Sequence, residues 1–156
     1  MNRRLAMYAG TFDPPTNGHE NIIRRASALF ETLHVVIAVN PDKKCRYTVE
    51  QRIQMLRNIS KDLENVVIEY WDGLSVDYAR KHDIGVMVRG MRNEKDFAYE
   101  YDMACKNQSL YPGIETVFLP SDVSLSHISS TVVRKHIEEG NDLSFMVHSD
   151  IRTLLT

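Results

Sequence analysis

Behind an apolar run of strand length, Leu5 to Ala9, the chain places the stretch GTFDPPTNGHENI, Gly10 to Ile22. Ahead of it Ile22, Ile23, Ala26, Leu29 and Phe30 recur at helical spacing. A strand, a Gly/Pro-rich turn and a helix opening at His19 make an anion site, because the first turn of a helix has unpaired N–H groups and the positive end of its dipole. Gly18 lets the backbone approach a ligand, His19 puts a ring donor at the same mouth, and Thr11 adds a hydroxyl on the strand side. The turn carries neither G-x-G-x-x-G nor a Lys-bearing phosphate loop. The plainer alternative is an ordinary strand–helix connection, stiffened by Pro14 and Pro15 and capped by Asn17.

The remaining chain alternates. Strands are predicted at Leu33–Val39, Asn65–Trp71, Gly85–Val88 and Ile114–Leu119. Thr48–Gln51 (TVEQ) is a capping box that opens a helix through Arg52, Met55, Leu56 and Ile59. Further helices are predicted over Ser75–His82, Asn93–Leu110, Ser129–Glu139 and Ser149–Leu155. That alternation predicts a doubly wound, Rossmann-like α/β fold, with a five-stranded parallel sheet, helices on both faces and one domain over residues 1–156.

Such sheets bind ligands beyond the carboxyl ends of their strands. The connections expected there hold Lys43, Lys44, Arg46, Arg89, Arg92, two glycine turns and the cluster Ser129-Ser130-Thr131. A chain of net charge −2 thus gathers cations and anion-binding turns along one edge, which predicts a phosphate-rich ligand. The same net charge gives no argument for nucleic acid or an anionic membrane. Arg3 and Arg4 precede an apolar run that Asp13, Pro14 and Pro15 cut too short for a signal peptide or membrane span. Cys45 and Cys105 fit no metal spacing and suggest a reduced, intracellular protein; Cys45 beside Lys43, Lys44 and Arg46 is read as a spectator thiol.

Two further segments carry chemistry. In RGMRNEKDFAYEYD, from Arg89, two guanidinium groups flank Gly90 at a strand end and can converge on phosphate oxygens. Asp96, Tyr99 and Glu100 follow on one helix face, where they either serve a ligand or form a solvated face paired with Lys95 or Lys106. In FLPSDVSLSHISSTVVR, from Phe118, three consecutive hydroxyl residues exceed what a helix cap needs and suit a second phosphate.

GTFDPPTNGH, ending in Thr16-Asn17-Gly18-His19, resembles the T/H-x-G-H signature of the nucleotidyltransferase superfamily. Together with Arg-Gly-Met-Arg, Asp96-Phe97, Tyr99-Glu100, Phe118-Leu119-Pro120 and Ile128-Ser129-Ser130, it resembles the pantetheine-phosphate adenylyltransferase family from about Met7 to Arg134. The resemblance implies adenylyl transfer from ATP to 4′-phosphopantetheine, giving dephospho-coenzyme A and pyrophosphate, with Mg²⁺ as cofactor, a homohexamer and a cytoplasmic location. It implies His19, Lys43, Arg92 and Ser130 as the catalytic set. ATP would meet Thr11, Phe12, His19, Gly90, Met91, Arg92, Glu100 and Leu125 to Thr131 (Leu125, Ser126, His127, Ile128, Ser129, Ser130, Thr131). Thr11, Lys43 and Arg89 would hold the acceptor phosphate, and Leu74 and Ser75 the pantetheine arm. The sequence departs from the usual pattern at Ser75, Pro15 and His127.

The residues offer no Cys/His pair, Ser/His/Asp set or metal-ligand cluster, so a covalent intermediate is not expected. A phosphate monoester brings its own charge to the reaction and needs no base. Mg²⁺ would be held mainly by ligand oxygens and water. Nicotinamide mononucleotide adenylyltransferases share the turn and the Ile-Ser-Ser-Thr helix opening, and cytidylyltransferases are a weaker alternative; the Arg-Gly-Met-Arg segment separates the chain from both. A nucleotide-sensing module without turnover would have no use for Lys43, His19 and Arg92 together.

Overall fold

The computed structural model describes residues 1–155, so Thr156, the last residue of the expected domain, lies outside it. Five parallel strands form one sheet in the order β3-β2-β1-β4-β5: β1 Asn2–Gly10, β2 Thr32–Val39, β3 Val66–Asp72, β4 Ile84–Met91 and β5 Glu115–Pro120. Six α-helices connect and flank them: α1 Asn17–Leu29, α2 Val49–Ile59, α3 Ser75–Lys81, α4 Glu94–Leu110, α5 Ser130–Glu139 and α6 Ser149–Arg152. The predicted α/β class is the observed one.

Why the sheet is covered on both faces is visible in β2. Val35, Val36 and Ile37 are consecutive and all fully buried, although successive side chains of a strand point to opposite faces. Burying such a side chain contributes about 1.5–3 kcal/mol. On one face Ala6, Tyr8, Val35 and Ile37 pack with α1, α2 and α5; on the other Met7, Val36 and Met87 pack with Val76, Tyr78 and Ala79 of α3. The edge strand β3 is less covered, with Tyr70 57 % exposed. No helix among the described residues is long and apolar enough to cross a membrane.

Several boundaries differ from the sequence reading. β1 starts at Asn2, because pairing with β4 already begins at Asn2↔Ile84. The last helix is one turn, Ser149–Arg152, and a 3-10 turn over Val123–Leu125 was not foreseen. The predicted capping box of α2 is present, Thr48 with Gln51. In α1, however, the cap is Thr16 and the helix begins at Asn17. Asn17 ties the turn to the C-terminal segment instead: its N–H donates to the Met146 carbonyl at 2.8 Å and its side chain to that of Phe145 at 2.9 Å.

The chain moves outward from β1 to β2 and β3, then crosses back to β4 on the other side of β1. Strand order therefore reverses between β1 and β4, and the crevice beyond their carboxyl ends is formed by Gly10–Thr11 and Arg89–Arg92.

Candidate functional site

The turn after β1 is held from several directions. Phe12 adopts a positive φ of 52°, costly for a bulky residue, and its buried ring lies 5.4 Å from that of Tyr8 and 5.0 Å from that of His19. Gly10 is required above it, because a Cβ there would sit 3.0 Å from the Phe12 ring. Both Asp13 carboxylate oxygens accept backbone N–H groups, from Arg46 and Tyr47, each at 2.9 Å. Arg134 donates to the Asp13 carbonyl at 2.6 Å and Arg52 to the Thr11 carbonyl at 2.9 Å. Asp13 thereby fastens the loop that carries Lys43 to the turn, a role the sequence reading missed.

His19 takes the place that Glu or Gln fills in an ordinary capping box. Thr16 N–H donates to His19 Nδ1 at 3.0 Å, and His19 N–H returns a bond to Thr16 Oγ1 at 3.3 Å. An amide N–H can only donate, so Nδ1 holds a lone pair and the neutral ring carries its proton on Nε2. The cap thus fixes the tautomer that presents a donor. Burial, reinforced by Arg92 and Arg89, lowers the His19 pKa from 6.5 to about 4. His19 in the ligand-free protein is therefore expected to titrate near pH 4 in ring-nitrogen NMR. The unfolded chain takes up that proton first, so this residue's contribution to stability declines as pH falls from 6.5 towards 4. A midpoint near 6.5 would contradict the cap.

Around His19 opens a cavity of about 340 Å³, within the range of small-molecule sites. Lys43, Arg89, Arg92 and Arg134 all line it. The exposed Lys43 donates to Thr11 Oγ1 at 3.2 Å. On the opposite side α5 points its N-terminus inward. Ser129 caps it by accepting from Val132 N–H at 3.2 Å, which leaves the N–H groups of Ser130 and Thr131 ahead of the first intrahelical bond. Ser130 donates its hydroxyl to the Pro14 carbonyl at 2.8 Å, joining this helix to the signature turn.

Two carboxylates foreseen on α4 pair with arginines instead of Lys95 or Lys106. Asp96 Oδ2 accepts from Arg92 N–H and Nε at 3.0 and 3.1 Å. Glu100, 7 % exposed, takes Arg89 Nε and Nη2 in a bidentate pair at 2.7 and 2.9 Å, while Nη1 donates to the Ala9 carbonyl at 2.6 Å. Burial works against the Arg89 charge, but its bonds to Glu100 outweigh that and raise its pKa. Arg89 is thus not a free fork awaiting an anion. It is a braced cation.

A second, more apolar cavity of about 220 Å³ lies between β4 and α4, lined by Met7, Met87, Met103 and Leu110 and by Leu74 and Ser75. Arg89 and Glu100 line both cavities and form the wall between them. Of the residues predicted for the site, Thr11, Phe12, His19, Lys43, Arg89, Gly90, Arg92, Glu100, Leu125 and Ile128 to Thr131 line the first cavity, and Leu74 and Ser75 the second. Met91, Ser126 and His127 line neither. Asp13, Ser121 and Arg134 join the first cavity without having been singled out. Cys45 and Cys105 are both free thiols.

The donor set also bears on the expected Mg²⁺. Asp13 has both oxygens on backbone N–H groups and Glu100 has both on Arg89, so either would meet a cation only by sharing its oxygens with those donors. Asp96 uses one oxygen, and the Thr11 and Ser130 hydroxyls keep acceptor capacity. Such a set fits a cation that arrives on phosphate oxygens, not one held in a protein cage.

Comparison with known proteins gives three findings. The sequence pattern of the cytidylyltransferase-like family matches residues 7–136. A phosphopantetheine adenylyltransferase from Caldanaerobacter subterraneus subsp. tengcongensis is 40 % identical over 144 residues, 92 % of this chain and 90 % of the relative. In structure, a candidate nicotinate-nucleotide adenylyltransferase from Vibrio parahaemolyticus superposes with a TM-score of 0.73, covering 99 % of this chain and 92 % of the other. At 19 % identity that likeness concerns the fold alone.

Proposed function

Because the chain belongs to the cytidylyltransferase-like family, we propose that these adjoining cavities catalyse adenylyl transfer from ATP to 4′-phosphopantetheine. The products are dephospho-coenzyme A and pyrophosphate, and the reaction is the penultimate step of coenzyme A synthesis. One observation carries the choice of acceptor: a polar, cation-lined cavity and a more apolar one lie side by side, with Arg89 and Glu100 lining both. Trp71, the residue that could stack on a nicotinamide beside the third strand, lines neither cavity and donates Nε1–H to the Leu74 carbonyl at 3.0 Å.

In this mechanism an oxygen of the acceptor phosphate attacks the α-phosphorus of ATP in line, and the bond to the β-bridging oxygen breaks as pyrophosphate leaves. No proton must be removed, because the nucleophile is already anionic. What remains is positioning two anions and stabilising the charge that builds on the α-phosphate. Thr11 and Lys43 hold the acceptor phosphate, with Arg89 braced behind them. His19 Nε2–H donates to an α-phosphate oxygen. The N-terminus of α5, with Ser129 to Thr131, Arg92 and Arg134, receives the departing pyrophosphate. Mg²⁺, carried by ATP, would be held by Asp96 and the Thr11 and Ser130 hydroxyls directly or through water, and would supply charge neutralisation. A cytoplasmic homohexamer is part of the same proposal. The exposed Phe97, Tyr99 and Tyr101 of α4 support assembly, which light scattering would measure.

Incubating the protein with ATP, Mg²⁺ and 4′-phosphopantetheine should release pyrophosphate and yield dephospho-coenzyme A by mass; release without that product would refute the reading. Within the site, Lys43→Ala is expected to raise KM for the acceptor, whereas Arg92→Ala mainly impairs ATP use or kcat. Identical defects in both substrates would show that the two cations do not divide the labour. Arg89→Ala is a poorer probe, because it strands the buried Glu100 carboxylate at a cost of about 3–5 kcal/mol.

A further inference from the structure

On the sheet face that carries α3, three side chains from separate segments converge away from both cavities: His34 of β2, Glu69 of β3 and His82, just past α3. One ring nitrogen of each histidine and one oxygen of Glu69 lie within 4.8 Å of one another. The parallel register explains the meeting. His34 sits opposite Val67 and Val36 opposite Glu69, so His34 and Glu69 are diagonal neighbours on one face.

Tyr78 of α3 holds the group in place. Its hydroxyl donates to Glu69 Oε2 and lies 2.9 Å from His34 Nδ1, and its ring stacks on that of His82 with centroids 4.1 Å apart. Since the single hydroxyl proton goes to Glu69, Tyr78 accepts from His34 Nδ1–H and leaves the other ring nitrogen with its lone pair. A hydrogen bond to one imidazole nitrogen that orients the other is the outer-shell arrangement of metal-ligating histidines. Glu69 Oε1 has no hydrogen-bond partner among the described residues. The cluster borders a groove of about 600 Å³ along the outer edge of β3, lined by Glu69, Tyr78 and His82 with Asp72, Lys81 and Arg57. Of its two cations, Lys81 is engaged over the Trp71 ring at 5.2 Å.

We propose that His34, Glu69 and His82 form a zinc site, in which a water completes four-coordination from the groove. Two imidazoles and a carboxylate are a borderline-soft set that favours Zn²⁺ over the oxygen-seeking Mg²⁺ and Ca²⁺. With bonds of about 2.0–2.1 Å, tetrahedral ligand atoms lie about 3.4 Å apart, so the separations between ligand atoms, now within 4.8 Å, have to shorten by about 1.4 Å or less. The ion would clip β2, the edge strand β3 and the end of α3 together. The site lies outside the machinery of adenylyl transfer and stands whether or not that assignment does.

The test is titration of the metal-stripped full chain with Zn²⁺ by calorimetry, and with Co²⁺ by visible absorption, in excess Mg²⁺. One ion per chain, tetrahedral Co²⁺ bands and a raised Tm are expected. Glu69→Gln, which keeps the side-chain size, and His82→Ala should each weaken binding by about 10-fold or more. A double Cys45→Ser, Cys105→Ser variant should bind as the parent does. Parental affinity in both ligand variants, loss of binding in the cysteine variant, or no uptake by the parent would overturn the site.

Discussion

Replacing His19 with alanine is expected to lower kcat by about 10²–10³-fold while ATP binding stays close to that of the parent. The expectation rests on the capping box, which leaves a neutral ring with Nε2–H as its one donor. A donor that stabilises charge formed only in the transition state affects turnover, not ground-state affinity. Alanine removes the cap as well, so a second variant separates the effects. His19→Gln restores a conventional capping-box residue and should melt near the parent temperature, yet its amide is not the ring donor and kcat should still fall. Near-normal turnover in either variant would leave His19 as a cap that also packs against Phe12, and nothing more.

Nicotinamide mononucleotide should be at least ~10³-fold poorer than phosphopantetheine in kcat/KM, about 4 kcal/mol of discrimination. Both acceptors carry a phosphate, so Thr11, Lys43 and Arg89 cannot choose between them. Discrimination must come from the rest of the acceptor, and the second cavity, lined by Met7, Met87, Met103 and Leu110, suits a flexible arm better than a planar ring. Leu74, 57 % exposed, lines that cavity. Leu74→Asp should therefore raise KM for phosphopantetheine with ATP use unchanged and little loss of stability. Comparable rates on the two acceptors, or an unaffected Leu74→Asp variant, would remove the second cavity from acceptor choice.

The sequence shows the strands and the turn because local rules dictate them. Val35-Val36-Ile37 has to be buried on both faces, and the Pro-rich stretch from Thr11 to Thr16 can continue neither the strand before it nor the helix after it. Connections after successive parallel strands all emerge at one sheet edge, which is why Thr11, Lys43, Arg89, Arg92 and Ser130 can be grouped from the order of strands and helices alone. What stayed hidden depends on partners distant in the chain. Spacing on α4 made Glu100 a surface residue as readily as a buried one; its arginine partner, 11 positions earlier, decides the matter. Asp13 reads as a turn residue until Arg46 and Tyr47 are seen to donate to it. His19 reads as a ligand-facing ring, but its tautomer is set by an amide three residues back. The same limit applies to His34, Glu69 and His82, which no sequence spacing unites.

The Arg89–Glu100 pair couples the two cavities. One side chain belongs to both cavities, and its Nη1 and Nη2 each have a proton to give beyond the bonds already made. An acceptor phosphate that drew Arg89 forward would lengthen its bonds to Glu100 in the wall of the nucleotide cavity, and a nucleotide that engaged Glu100 would in turn bear on Arg89. By thermodynamic reciprocity, whatever factor ATP imposes on acceptor affinity the acceptor imposes on ATP. Two substrates that never share an atom before reaction would thus report on each other through a single ion pair.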